Sequence, residues 1–213
     1  MNTDRLIEML STNIEPVDRQ ELRTALAWAV VIGGAAAFCL MLSTVALRSD
    51  LTSGASLVFV ALKLLFALTV IGAGVAFLSR AMRPGQEARR PFGLAFLPLV
   101  AIAVASVADL ALGLSTAPHR MMAGTHWVLC LYCIPLFAII PFMLLVWALH
   151  VGAPTYLRQT GAIAGLVAGA MGAAAYAFHC PDDSLPFIAV WYGASIALCA
   201  LFGAMLGPRV LRW

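Results

Sequence analysis

An all-α, polytopic membrane bundle of six transmembrane helices, preceded by a short cytoplasmic amphipathic helix, is the fold this sequence predicts. Three observations predict it. Of 213 residues, 62% are hydrophobic and only 11% charged, with a mean hydropathy of +0.95; soluble domains carry about a quarter charged residues. The apolar residues gather into six runs of about the length a helix needs to cross the hydrocarbon core, roughly 20 residues. The connections between runs are short, and arginine is unevenly shared among them, which is the signature of fixed orientation in a bilayer.

Residues 1–24 are the one sizeable polar segment. Leu6, Ile7, Leu10, Ile14 and Val17 recur at steps of three and four, placing them on one face of a helix. Thr3 is a natural N-cap, and Pro16 disfavours a helical Glu15 before it. A stripe this short cannot be buried by its own helix, so it lies on the bilayer or binds a partner. The mixed charge of Asp4, Arg5, Glu8 and Glu15 is unlike the Lys- and Arg-rich face of surface-lying helices. The segment has no apolar stretch or small-residue cleavage site of a secretory signal.

The six apolar runs cover 25–47, 56–78, 92–114, 127–151, 161–178 and 187–206. Three segments are expected: a soluble one at 1–24, a membrane domain at 25–208 and a tail at 209–213. Arg5, Arg19, Arg23, Arg80, Arg83, Arg89, Arg90, Arg158, Arg209 and Arg212 fall on one side, and only Arg48 and Arg120 on the other. The excess of basic residues marks the cytoplasmic face. Both termini are therefore expected inside, with the loops near 50, 120 and 182 outside. Lys63 and Asp109 are the ionisable residues within the runs, and a bundle-facing ion pair is the economical expectation for them. Pro135 and Pro141 are expected to bend the fourth run. Gly161, Gly165 and Gly169 give the fifth the small-residue spacing that lets helices pack closely.

Chemistry concentrates at the outer ends of the runs. Cys130 and Cys133 lie within about a turn of Trp127, and Cys180 opens the last outer loop. His119, His126, His179, Asp182 and Asp183 fall on the same side. Three readings compete. A Cys133–Cys180 disulfide would tie the fourth run to the last outer loop, whereas a Cys130–Cys133 bond would tie one helical turn to itself. Alternatively, Cys133, His179 and Cys180 are candidate ligands for a soft metal ion. The third reading is a set of reduced, packed cysteines. Cys39 and Cys199 sit mid-run as small hydrophobes. Five cysteines make no disulfide scaffold, and a quinone-linked thiol oxidoreductase would want two separate outer pairs. No HExxH, GxSxG or phosphate-binding glycine loop is present, so an enzyme is not expected. A net charge of +3 without a basic stripe argues against direct contact with nucleic acid.

Several short stretches, in order along the chain, resemble one family. They are the opening Met-Asn-Thr-Asp-Arg-Leu-Ile, Leu62-Lys63-Leu64-Leu65-Phe66, and Met82-Arg83-Pro84-Gly85. Leu157-Arg158, Tyr176-Ala-Phe-His179-Cys180, Phe187-Ile-Ala-Val-Trp191-Tyr192 and the terminal Leu211-Arg212-Trp213 complete the set. It is similar to the NrsF family of bacterial membrane anti-sigma factors. That resemblance implies an extracytoplasmic-function, SigF-type sigma factor as partner, held at the inner membrane by the N-terminal segment. It also implies two outer-face cysteines that sense heavy-metal or oxidative stress, best matched here by Cys133 and Cys180, with Cys130 as a third member. No resident cofactor is implied, only transient capture of a heavy-metal ion at those cysteines. A small membrane transporter of metal ions or thiols, depending on Lys63 and Asp109, is the alternative.

Overall fold

The computed structural model describes residues 3, 19–50, 54–82, 92–112, 124, 126–152 and 154–212. The predicted amphipathic helix carrying Leu6, Ile7, Leu10 and Ile14 lies outside the described residues. Those residues form helices α1 (Arg19–Thr44), α2 (Gly54–Ala81), α3 (Phe92–Ala111, opening with a 3-10 turn), α4 (Trp127–Val151), α5 (Leu157–Tyr176) and α6 (Leu185–Val210). There is no strand among the described residues.

Five of these helices, all but α5, are long and apolar enough to cross a membrane. Their outward faces carry Trp28, Val31, Leu65, Leu68, Val104 and Val107, all exposed. An apolar outer face fits hydrocarbon as the surrounding solvent, since a helix satisfies its own backbone polar groups there. The fifth predicted run is also a helix, but with a different character. Gly and Ala dilute its hydropathy, Arg158, Gln159 and Thr160 occupy its first turn, and almost every residue from Thr160 to Tyr176 is buried.

That burial makes α5 the axis of the bundle. It packs most extensively on α6, then on α4, α2 and α1. Apolar helices gain no hydrophobic drive from meeting each other in lipid, so close van der Waals contact has to hold them. Glycine supplies the approach. A Cβ on Gly161 would strike the Gly203 carbonyl of α6, one on Gly165 the Cys199 carbonyl, and one on Gly172 the Ile134 carbonyl of α4. On α4, Pro135 and Pro141 are both accommodated within a single helix from Trp127 to Val151.

The chain enters α6 through a short turn capped by Ser184, whose hydroxyl accepts from the Phe187 N–H at 3.3 Å. A π turn over Ile188–Tyr192 comes next, before regular helix resumes at Gly193. Such a turn holds one extra residue and rotates the helix beyond it. Here it leaves Tyr192 wholly buried. At this same end of the bundle the end of α1, the start of α4 and the 177–184 connection meet. The Arg48 N–H donates to the Phe178 carbonyl at 3.1 Å, and the His126 N–H to Asp182 Oδ2 at 2.9 Å.

Candidate functional site

The last turn of α5 delivers Cys180. The N–H groups of His179 and Cys180 both return to the Tyr176 carbonyl, at 3.0 and 3.1 Å, which closes the helix tightly. Pro181 cannot continue it. Cys130 stands in the first turn of α4, its N–H on the His126 carbonyl at 3.0 Å and its own carbonyl accepting from Ser195 Oγ of α6 at 3.3 Å. The two side chains are fully buried, and their thiols face one another closely enough that each shifts the other's ionisation. None of the five cysteines is in a disulfide bond.

This places the contact on Cys130 rather than on Cys133. Cys133 is half-buried and packs at the edge of the core. Of the two thiols on α4 it is Cys130, not the expected Cys133, that faces Cys180, because the side of α4 turned toward α5 at this level carries Cys130. The metal set of Cys133, His179 and Cys180 is not assembled either. Among the described residues no group of three His, Cys, Asp or Glu side chains is placed to hold a metal ion. His179 is occupied otherwise: its Nδ1 donates to the Ala46 carbonyl at 2.6 Å, pinning the loop after α5 to the end of α1. Cys199 is buried against Gly165 and Gly169, and Cys39 is exposed on α1.

The intramembrane ion pair also differs from expectation. Lys63, fully buried in α2, reaches Asp183 rather than Asp109: its Nζ lies 2.9 Å from Asp183 Oδ1 and donates to the Cys180 carbonyl at 3.0 Å. Asp109 is half-buried on α3. A buried lysine needs a full set of partners, since removing one from water costs several kcal/mol. The loop provides that set where α3 was expected to. Arg48, almost as buried, adds a second cation. It donates to Asp183 Oδ2 at 2.8 Å, to the Cys180 carbonyl at 3.1 Å, and to Asp50 at 2.7 and 2.8 Å. The Arg48 guanidinium holds the Asp50 carboxyl down at about 2.

Two tyrosines complete the pocket. Tyr176 and Tyr192 are fully buried with ring centroids 6.1 Å apart, and Lys63 Nζ sits 5.9 Å from the Tyr192 ring centroid. That separation is within cation–π range. Neither hydroxyl has a hydrogen-bond partner of ordinary geometry, and both face the thiols of Cys130 and Cys180. Sulfur is a weak acceptor as a thiol and a strong one as a thiolate, so the pocket is better matched to an ionised cysteine than to a neutral one.

Comparison with known proteins decides the family. The model of NrsF, negative regulator of sigma F, matches residues 10–213. The chain belongs to the NrsF family. It is 31% identical over 217 residues to the probable anti-sigma-F factor NrsF of Azospira oryzae, and 28% identical over 214 residues to the anti-sigma-F factor NrsF of Caulobacter vibrioides. Both matches span 100% of each chain. Such relatives are regulators, not enzymes, in keeping with the lack of a catalytic motif. No solved structure matches this chain.

In this member of the NrsF family the pKa of the Cys180 thiol is held below that of an ordinary cysteine. The neighbouring Cys130 thiol favours the charged form most, and the positive charge of Lys63 adds to it, against the opposing effect of burial. The thiolate is the reactive form. The rate at which Cys180 is oxidised should therefore climb with pH and flatten below about 8.5, where an ordinary cysteine is only half ionised. Stopped-flow oxidation of the purified protein across this range checks the profile; a rate still climbing tenfold per pH unit at pH 8 would contradict it.

Proposed function

We propose that the chain is an anti-sigma factor of the bacterial inner membrane, releasing its sigma factor when Cys130 and Cys180 join. It crosses the membrane six times with both termini in the cytoplasm. In the resting state the apolar stripe of Leu6, Ile7, Leu10 and Ile14 holds an extracytoplasmic-function sigma factor away from RNA polymerase. The sensing groups face the periplasm, where oxidative or heavy-metal stress reaches the two thiols. The observation that carries this reading is the buried Cys130–Cys180 contact, made between α4 and the α5–α6 loop at the end of the bundle opposite Arg80, Arg158 and Arg209.

A disulfide there requires Cβ atoms within about 4.5 Å and a fixed dihedral, so it locks α4 to the loop that feeds α6. Those two helices share α5 as their packing partner. A change in their registry is therefore felt along α5 to its far end at Leu157 and Arg158. Release needs only a difference in sigma affinity between the two states, and a coupling of about 1–3 kcal/mol gives roughly a 5- to 150-fold change. The transport alternative loses support because Lys63 is committed to Asp183 and the Cys180 carbonyl.

Co-purification with a candidate sigma factor tests the proposal. The complex should survive under reducing conditions and dissociate on oxidation, in step with a mapped Cys130–Cys180 bond. A sigma factor that stays bound to fully disulfide-linked protein would refute it.

A further inference from the structure

Lys63 and Arg48 spend their donors in an unusual way. They come from different parts of the chain, the middle of α2 and the stretch just after α1, yet they converge on the same two residues. Both donate to the Cys180 carbonyl, at 3.0 and 3.1 Å, and both bind Asp183, Lys63 through Oδ1 and Arg48 through both carboxylate oxygens. Each is buried. Hydrogen bonds from charged donors in such surroundings are short and about twice as strong as neutral ones. The main chain of Cys180 is thus gripped while its thiol meets Cys130.

The other side of the contact offers a choice. Cys130 and Cys133 are three residues apart on one helix, a spacing that puts neighbouring side chains about 5–6 Å from each other. Cys130 is held in place by the Ser195 bond to its carbonyl. The chemistry of the two thiols is the same, so where Cys180 is held decides which one it meets. Tyr192, the last residue of the π turn, is buried with its ring centroid 5.9 Å from Lys63 Nζ.

We infer that Lys63 and Arg48 are positioning residues that select Cys130 over Cys133 as the disulfide partner of Cys180. This rests on the redox reading given above. In the step itself, two thiols give up two protons and two electrons and one S–S bond forms. With hydrogen peroxide as oxidant the O–O bond breaks and two waters leave.

The test uses the full-length protein in detergent, oxidised with hydrogen peroxide and mapped by peptide mass spectrometry. The wild type should give Cys130–Cys180. In Lys63→Met the ratio of Cys130–Cys180 to Cys133–Cys180 product should fall about tenfold, the size expected for losing a hydrogen bond to a charged group. Arg48→Gln should shift the ratio in the same direction, and it carries the test if Lys63→Met does not accumulate. Asp109→Asn, outside the grip, should leave the ratio unchanged, which separates selection from general loosening. A wild-type ratio in both Lys63→Met and Arg48→Gln overturns the inference. A wild type lacking the Cys130–Cys180 product overturns the redox reading instead.

Discussion

Gly165→Leu is expected to stop the bundle from assembling. A Cβ at this position meets the Cys199 carbonyl oxygen directly, with the Cys199 carbonyl carbon at 2.9 Å and the Ala200 Cα at 3.2 Å. All three are backbone atoms of α6, so no rotamer change relieves the overlap. The helices must separate, and the separation opens the whole seam that also contains Gly161, Gly203 and Gly207. Overpacking an ordinary core costs about 1–3 kcal/mol, and a backbone-to-backbone clash belongs at or above the upper end. The matching control is Gly72→Leu on α2, where an added Cβ finds nothing within 4 Å. Folded yield and thermal midpoint in detergent should collapse for the first and barely move for the second. Equal midpoints would mean that the α5–α6 seam does not hold the fold.

The same glycines show how far the sequence can be read. Composition and run length suffice for the helical bundle, because hydrocarbon tolerates little else. The glycine spacing also marks α5 as a closely packed helix. The orientation of α4 is not readable. Its residues are apolar on every side, so no polar face sets its rotation, and Cys130 and Cys133 look equivalent. The structure separates them: Cys130 is fully buried facing Cys180, and Cys133 is half-buried at the edge of the core.

The charged grip is hidden for a different reason. Lys63 and Asp183 lie 120 residues apart, and no periodicity links a mid-helix lysine to a loop carboxylate. Asp109 is the natural partner by sequence because it also lies in an apolar run. A usable sign does exist: Asp182 and Asp183 stand in a loop without a lysine or arginine, and Arg48 is one of only two arginines on that side. Tyr192 is less accessible still, since the π turn that buries it has no sequence signature.

Cys130→Ser and Cys180→Ser are each expected to abolish oxidant-induced release of the sigma factor, while Cys133→Ser retains it. Serine keeps the volume of the buried site almost unchanged, so resting sequestration should persist in all three variants. What disappears is the covalent bond. If the coupling between thiol state and sigma affinity lies in the usual range of about 1–3 kcal/mol, the roughly 5- to 150-fold induction of the wild type falls to none in the first two variants. A reporter driven by the sigma factor, read with and without peroxide, measures this directly. Cys133→Ser is the informative arm, because Cys133 and Cys180 would be the better pair if α4 were turned about its axis so that Cys133 faced inward. Loss of induction in Cys133→Ser with full induction in Cys130→Ser would reverse the assignment. The opposite pattern ties the response to the two thiols that α4 and the α5–α6 loop already hold in contact.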